Sequence, residues 1–296
     1  MKIKNREELI AKQEEYRASL NSQRKQILIC AGTGCVAGGS LEIYAKMKDI
    51  IEGKGLKCAL VLEKDPHGDS IGLKKSGCHG FCEMGPLLRI EPMGWLYIKV
   101  SLDDCEEIIE KSIIGDEVID RLVYKDQEGN PYVKQEDIPF YKQQTRIALE
   151  YCGHINAESI AEYLALGGYS AVAKALFDMT PQGIVDEITE SCLRGRGGGG
   201  FPAGRKWQQV LDQKEEEKYI VCNGDEGDPG AFMDRSMMEG EPHRVIEGML
   251  IAAIATGARH GYIYVRAEYP IAVERLQIAI NQAREYGLLG KNIFES

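Results

Sequence analysis

Four of the nine cysteines fall in two short pairs, Cys30-x4-Cys35 and Cys78-x3-Cys82, each in a loop that also carries glycine. Thiolates spaced this way bind metal. Structural zinc sites favour tighter C-x2-C knuckles, and a dithiol redox site needs a single C-x-x-C. The wider loops, with Gly32, Gly34 and Gly80, suit a [2Fe–2S] cluster: they span two irons, and glycine N–H groups donate to the cluster sulfurs. Zinc and free thiols are the alternatives. His79 lies between two of the candidate ligands Cys30, Cys35, Cys78 and Cys82, and is expected to face solvent.

A second stretch, Leu193 to Trp207, places six glycines between Gly195 and Gly204 among Arg194, Arg196, Arg205 and Lys206. Four glycines in a row cannot stabilise a helix or strand, because each loses much backbone entropy and packs nothing. Such a run suits a loop whose N–H groups approach something flat or charged, with cations for an anionic group and Phe201 and Trp207 as faces for a planar ring. Gly195 to Gly200 spells G-x-G-x-x-G, but that fingerprint needs a strand before it. Here Pro181 to Cys192 reads as a helix capped by Thr180. The phosphate-loop pattern fails because Lys206 comes one residue late and Trp207 replaces the hydroxyl. The bland alternative is a glycine linker. The reading is a nucleotide or flavin cradle.

A third stretch, Asn223 to Gly230, follows the strand Lys218 to Cys222. Open α/β sheets place ligands at such strand ends. Asp225, Glu226 and Asp228 do not fit a calcium loop, and a solvated turn is the competing reading. The functional reading is that Asn223 and these acids accept hydrogen bonds from a polar ligand.

The elements that must position these residues divide the chain into a helical arm (1–25), a cysteine-bearing domain (26–112), a connector (113–144) and a second domain (145–296). The arm is a solvated helix, Asn5 to Leu20. In the first domain, Gln26 to Ile29 is a strand, Leu41 to Gly53 a helix and Cys58 to Leu62 a strand. A polar loop then precedes strands at Leu87–Ile90 and Leu96–Val100 and a helix at Asp103–Lys111. This β-α-β-loop-β-β-α order is a sheet with helices packed on it. The connector holds a hairpin, with Leu122–Tyr124 and Tyr132–Val133 around a turn, and an extended strap at Ile138–Tyr141. The second domain is α/β: helices at Thr145–Gly153, Ala157–Leu166 (capped by Asn156), Tyr169–Phe177, Pro242–Ala258 and Ile271–Tyr286, and strands at Lys218–Cys222 and Gly261–Val265. Cys58, Cys105, Cys152, Cys192 and Cys222 read as structural.

At 296 residues with a net charge of −10, the chain is long enough for two cores. Its acidity argues against a nucleic-acid or anionic-membrane partner. No apolar run reaches a membrane span, and Met1 to Gln26 lacks a signal-peptide core. A cytoplasmic protein with thiols rather than disulfides is expected.

The stretch Gly195-Arg196-Gly197-Gly198-x-Gly200-Phe201-Pro202-x-Gly204-x-Lys206-Trp207 resembles the signature of the NADH-binding flavoprotein subunit of respiratory complex I. The same module occurs in soluble NAD-linked hydrogenases and formate dehydrogenases. The resemblance implies that Gly195, Arg196, Gly197, Lys206, Asn223, Asp225 and Glu226 contact FMN, and that Phe201 lies against the nicotinamide nucleotide. Asp228 matches a position usually held by Glu that approaches NADH, so it and Gly227 depart from the pattern. The cysteine domain resembles thioredoxin-like [2Fe–2S] ferredoxins, with Met84-Gly85-Pro86 after the last ligand.

A ferredoxin-like domain fused before the flavin domain is most similar to the beta subunit of electron-bifurcating [FeFe] hydrogenases, with NAD-dependent formate dehydrogenase as the nearest rival. A non-catalytic [2Fe–2S] relay is the reading of another class. The resemblance implies NAD(H), FMN and [2Fe–2S] as cofactors, and a [4Fe–4S] cluster in a C-terminal part beyond these residues. It implies a catalytic hydrogenase or formate dehydrogenase subunit and a small [2Fe–2S] subunit as partners, with ferredoxin as a further one.

Overall fold

The computed structural model describes residues 2–62 and 70–295. The first unit is built on β1 (Lys25–Cys30), whose apolar run Ile27-Leu28-Ile29 is fully buried. It is followed by α2 (Thr33–Ala37), α3 (Ser40–Gly53), β2 (Cys58–Ala59), β3 (Ile71–Ser76), β4 (Leu88–Glu91) and β5 (Trp95–Tyr97). The sheet order is β2-β3-β1-β4-β5, with β3 parallel and β4 antiparallel to β1. That order is thioredoxin-like. On one side of it, Ile43, Met47 and Ile51 of α3 pack with Ile27, Ile29, Leu73 and Ile90. α4 (Asp104–Glu107), continued by a wider π turn to Ile114, adds Cys105, Ile108 and Ile109.

β1 and β3 run parallel and in register, with Cys30 opposite Ser76. Both therefore deliver their cysteine loops at the same end of the sheet. The sequence pattern does not mark β3. Its Ile-Gly-Leu-Lys-Lys-Ser reads as polar, yet Lys74 is buried, because its ammonium finds Glu162 at 2.9 Å and the Gln26 side chain at 2.9 Å. The loop expected before Cys78 thus lies partly outside the described residues, at 63–69, and otherwise forms this strand.

The connector contributes β6 (Tyr124–Lys125) and β7 (Pro131–Tyr132), the expected hairpin. The strap expected at Ile138–Tyr141 is instead a helical turn, α5 (Pro139–Lys142), which leaves Phe140 stacked on Phe81 with ring centroids 5.1 Å apart. The helix expected at Thr145–Gly153 is a run of bends and turns. Its polar groups are used elsewhere: Arg146 donates to the His79 carbonyl, and the Tyr151 amide donates to Glu241.

The second unit comprises α6 (Ile160–Ala165), α7 (Ser170–Phe177), α8 (Pro181–Glu190), α9 (Ala203–Leu211), β8 (Tyr219–Gly224), α10 (Met233–Gly240), α11 (Pro242–Thr256), β9 (His260–Val265) and α12 (Pro270–Glu285). β8 and β9 are parallel. α6 begins at Ile160 with Ser159 as its cap, while Asn156 turns its side chain to the amide of Glu158. The arm, α1 (Arg6–Ser22), is capped by Asn5 and seats Leu9 and Tyr16 among Ile160, Leu164 and Tyr169. It joins the core of the second unit rather than standing free.

Lys74 and Glu162 join the two units, with side chains only 2% and 3% exposed. Removing one member of such a pair leaves the other buried and uncompensated. Lys74→Met should therefore lower unfolding stability by about 3–5 kcal/mol in denaturant titration. Adding Glu162→Leu should recover part of that loss. A Lys74→Met variant as stable as wild type would contradict the assignment.

Candidate functional site

The four cysteines of the two pairs come together at the end of β1 and β3. Cys30 is the last residue of β1 and Cys35 lies in α2, and both are buried, whereas Cys78 is half-buried and Cys82 exposed. The sulfurs form a linked series, Cys35 to Cys30 to Cys78 to Cys82, the last two 3.8 Å apart. Hydrogen bonds from Cys30 and Cys82 hold the Cys78 thiol well below its ordinary pKa, helped by the Gly80 amide 3.3 Å from its sulfur. The bond to Cys35 and that to Cys78 push Cys30 up, as does burial.

Glycine is required where other chains pass this close. A Cβ on Gly32 would stand 2.9 Å from the Cys78 Cβ, and one on Gly85 would stand 2.8 Å from the Cys35 sulfur. Among the described residues, no three His, Cys, Asp or Glu side chains surround a single ion position. Four thiols are the donor set that a binuclear iron–sulfur group takes, two to each iron.

His79 does not face solvent. It is fully buried, with Nε2 2.9 Å from the Ser76 hydroxyl and Nδ1 3.3 Å from the Gln135 side-chain oxygen Oε1. Burial is the main reason its pKa falls to about 3, so the ring is neutral. It acts as an internal brace for the Cys78–Cys82 loop, a role hidden from the sequence because Gln135 lies far along the chain.

The glycine cradle is closed at its neck by an antiparallel bridge between Arg194 and Pro202. The Gly195 amide donates to the Phe201 carbonyl at 2.9 Å. From Gly197 to Gly200 nothing lies within 4 Å of where a Cβ would be, and Gly198 and Gly200 adopt positive φ. Arg194, Arg196, Arg205 and Lys206 are exposed around this opening. α9 starts here without a side-chain cap, and its Ala203 amide donates to the Leu193 carbonyl at 2.8 Å. Phe201 is exposed, with the Arg205 guanidinium 5.7 Å from its ring centroid. Trp207 is not a ring-stacking face; it packs against Ile184, Val185 and Ala255. Gly204 fixes α9 on α8, since a Cβ there would lie 2.1 Å from the Thr189 hydroxyl.

The acidic loop leaves β8 at Asn223, whose side chain accepts from the Asp225 amide at 3.0 Å. Asn223, Asp225 and Asp228 are exposed. Glu226 is buried and already engaged: its carboxylate accepts from the amides of Asp234 and Arg235 and from the Tyr269 hydroxyl. It caps α10, which corrects its reading as a free acceptor. No hydrogen bond or ion pair among the described residues links the cradle to this loop. Cys192, expected to be structural, is exposed just before the cradle.

α10 has no signal in the local sequence, because its cap comes from Glu226, outside the helix's own pattern. It connects the two sites. Its first turn is tied to Glu226. At its other end Glu239, 1% exposed, accepts from the Thr33 amide at 3.1 Å and from the Thr33 hydroxyl at 2.5 Å, and Thr33 lies between Cys30 and Cys35. Gly240 meets the Cys78 side of the sheet, where a Cβ on Gly77 would be 2.4 Å from the Gly240 Cα. With eight residues, α10 is about 12 Å long.

The Nuo51 FMN-binding domain family model matches residues 188–294. The chain is 57% identical over 155 residues to the NADP-reducing hydrogenase subunit HndC of Solidesulfovibrio fructosivorans, covering 52% of this chain and 31% of that protein. It is 49% identical over 138 residues to an NADH-quinone oxidoreductase subunit of Aquifex aeolicus, covering 47% and 32%. A solved thioredoxin-like [2Fe–2S] ferredoxin from Aquifex aeolicus aligns over 35% of this chain and 99% of its own, at 25% identity and a TM-score of 0.28. The chain spans about a third of the length of the curated relatives it matches. The matched segment takes in both the cradle and the acidic loop.

Proposed function

We propose that the chain is the NAD(H)-linked flavin and iron–sulfur subunit of a multisubunit oxidoreductase of the hydrogenase type. In this reading Cys30, Cys35, Cys78 and Cys82 hold a [2Fe–2S] cluster. Gly195, Arg196, Gly197 and Lys206, with Asn223 and Asp225, hold FMN. Phe201 and Asp228 face the nicotinamide nucleotide. The observation that carries it is α10, one rigid helix tied at its N-terminal end to the acidic loop and at its C-terminal end to both cysteine loops. When bound, FMN exchanges hydride with the nicotinamide and releases electrons singly to iron–sulfur groups.

The chain's own residues bind, orient and shield. The open amides of Gly197 to Gly200 offer donors to a phosphate, and the surrounding cations neutralise it. Phe81, Tyr124, Phe140 and Tyr141 form an aromatic cover beside the cysteines. Gly32 and Gly85 leave room at the sulfurs. Among the described residues no helix is long and apolar enough to cross a membrane. The partners in this reading are a catalytic hydrogenase subunit, or a formate dehydrogenase subunit, and a small [2Fe–2S] subunit.

Two variants test the two sites separately. Cys78→Ser should abolish the electron paramagnetic resonance signal of a dithionite-reduced [2Fe–2S] cluster, and an unchanged spectrum would defeat the ligand set. Arg196→Ala should weaken FMN binding about tenfold or more without lowering the thermal midpoint, since it removes one charge-assisted contact from an exposed loop. Unaltered flavin content would count against the cradle. An NADH:viologen reductase assay on FMN-loaded protein separates this reading from a non-catalytic relay, which would keep the cluster and show no turnover.

A further inference from the structure

Arg235 occupies a position on α10 that neither cap nor core requires. Its amide is held by Glu226, on the acidic-loop side. Its guanidinium lies 3.9 Å from the Phe232 ring centroid and 5.6 Å from that of Tyr269. Its Nε is buried and makes no hydrogen bond. The acid closest to it is Glu239, one helical turn on, with Nε and Oε1 4.0 Å apart. That same Glu239 oxygen accepts from the Thr33 hydroxyl between Cys30 and Cys35. A guanidinium and a carboxylate thus stand side by side on one helix face, the carboxylate bonded to the residue that lies between Cys30 and Cys35. Of the other cations nearby, Arg146 is bound to the His79 carbonyl and lies over the Tyr141 ring, and Arg275 donates to the Glu239 backbone carbonyl at 2.6 Å.

We infer that Arg235 and Glu239 set the reduction potential of the group held by Cys30, Cys35, Cys78 and Cys82, in opposite directions. The inference rests on the proposed cluster. Reduction would add one electron, and so one negative charge, to a group of two irons, two sulfides and four thiolates whose total is already negative. A guanidinium held in a poorly solvated position nearby stabilises the reduced form, and a buried carboxylate destabilises it. Because both groups lie on the helix that also carries the acidic loop, the potential is coupled to how α10 is seated. Arg235 and Glu239 are thus positioning and tuning residues; neither touches the reacting nicotinamide.

The test is a dithionite redox titration of the holoprotein followed by electron paramagnetic resonance, with iron and sulfide content measured on each variant. Arg235→Gln should shift the oxidised-to-reduced ratio at least tenfold toward the oxidised form, which lowers the midpoint by about 59 mV for one electron. Glu239→Gln, which keeps an acceptor for Thr33, should raise it. Arg235→Lys should stay close to wild type. Opposite signs from two neighbouring residues are not what loosened packing would give. Full clusters with unmoved midpoints, or midpoints that move the same way in both glutamine variants, would overturn the inference and leave the cluster reading standing. Wild-type holoprotein without iron and sulfide would overturn both. If Arg235→Gln does not fold, the rise expected for Glu239→Gln and the constancy of Arg235→Lys still decide it.

Discussion

The contact between Gly77 and Gly240 is the constraint on which the rest of this structure depends. At this point the backbone of the second cysteine loop lies directly on the C-terminal end of α10, with no room for a Cβ on either residue. The Glu239 carboxylate closes the same junction by accepting from Thr33 in the first cysteine loop. Together they fix both cysteine loops to one helix. The far end of that helix is capped by Glu226, within the loop that leaves β8. The acidic loop and the cysteine loops are therefore set at one separation by a single element rather than by a flexible linker. The buried Lys74–Glu162 pair adds a second junction between the units.

The electrostatics follow from this packing. Burial would drive ions from this junction unless they are paired, and the structure pairs them: Glu239 with Thr33 and Arg235, Glu241 with Arg244, Lys74 with Glu162. The cradle is the opposite case. Its cations are exposed and its glycine amides face open space, an arrangement suited to an anionic ligand that arrives from solvent.

Much of the site is legible in the sequence because its signals are local. The cysteine spacings, the glycine run and the acids after β8 each announce their chemistry within a few residues, and the strands and helices of the first unit follow from apolar periodicity. What is not legible is long-range. β3 hides its burial because Lys74 depends on Glu162. His79 reads as a solvent-facing residue, but Ser76 and Gln135 take it inside. Glu226 reads as a free acceptor, and only the fold shows it spent on α10. α10 itself has a polar sequence and a borrowed cap, so neither a start signal nor a clear stripe marks it. In each case the determining partner lies far along the chain.

In the proposed function, flavin chemistry at the cradle and a cluster at the cysteines belong to one electron path across α10. This claim is tested most directly by adding NADH to the anaerobic, FMN-loaded holoprotein, freezing within seconds and recording the electron paramagnetic resonance spectrum. The account requires a reduced [2Fe–2S] signal that disappears in Cys78→Ser while the flavin still bleaches. Flavin bleaching with no [2Fe–2S] signal from wild-type protein, under conditions where dithionite does produce one, would contradict it.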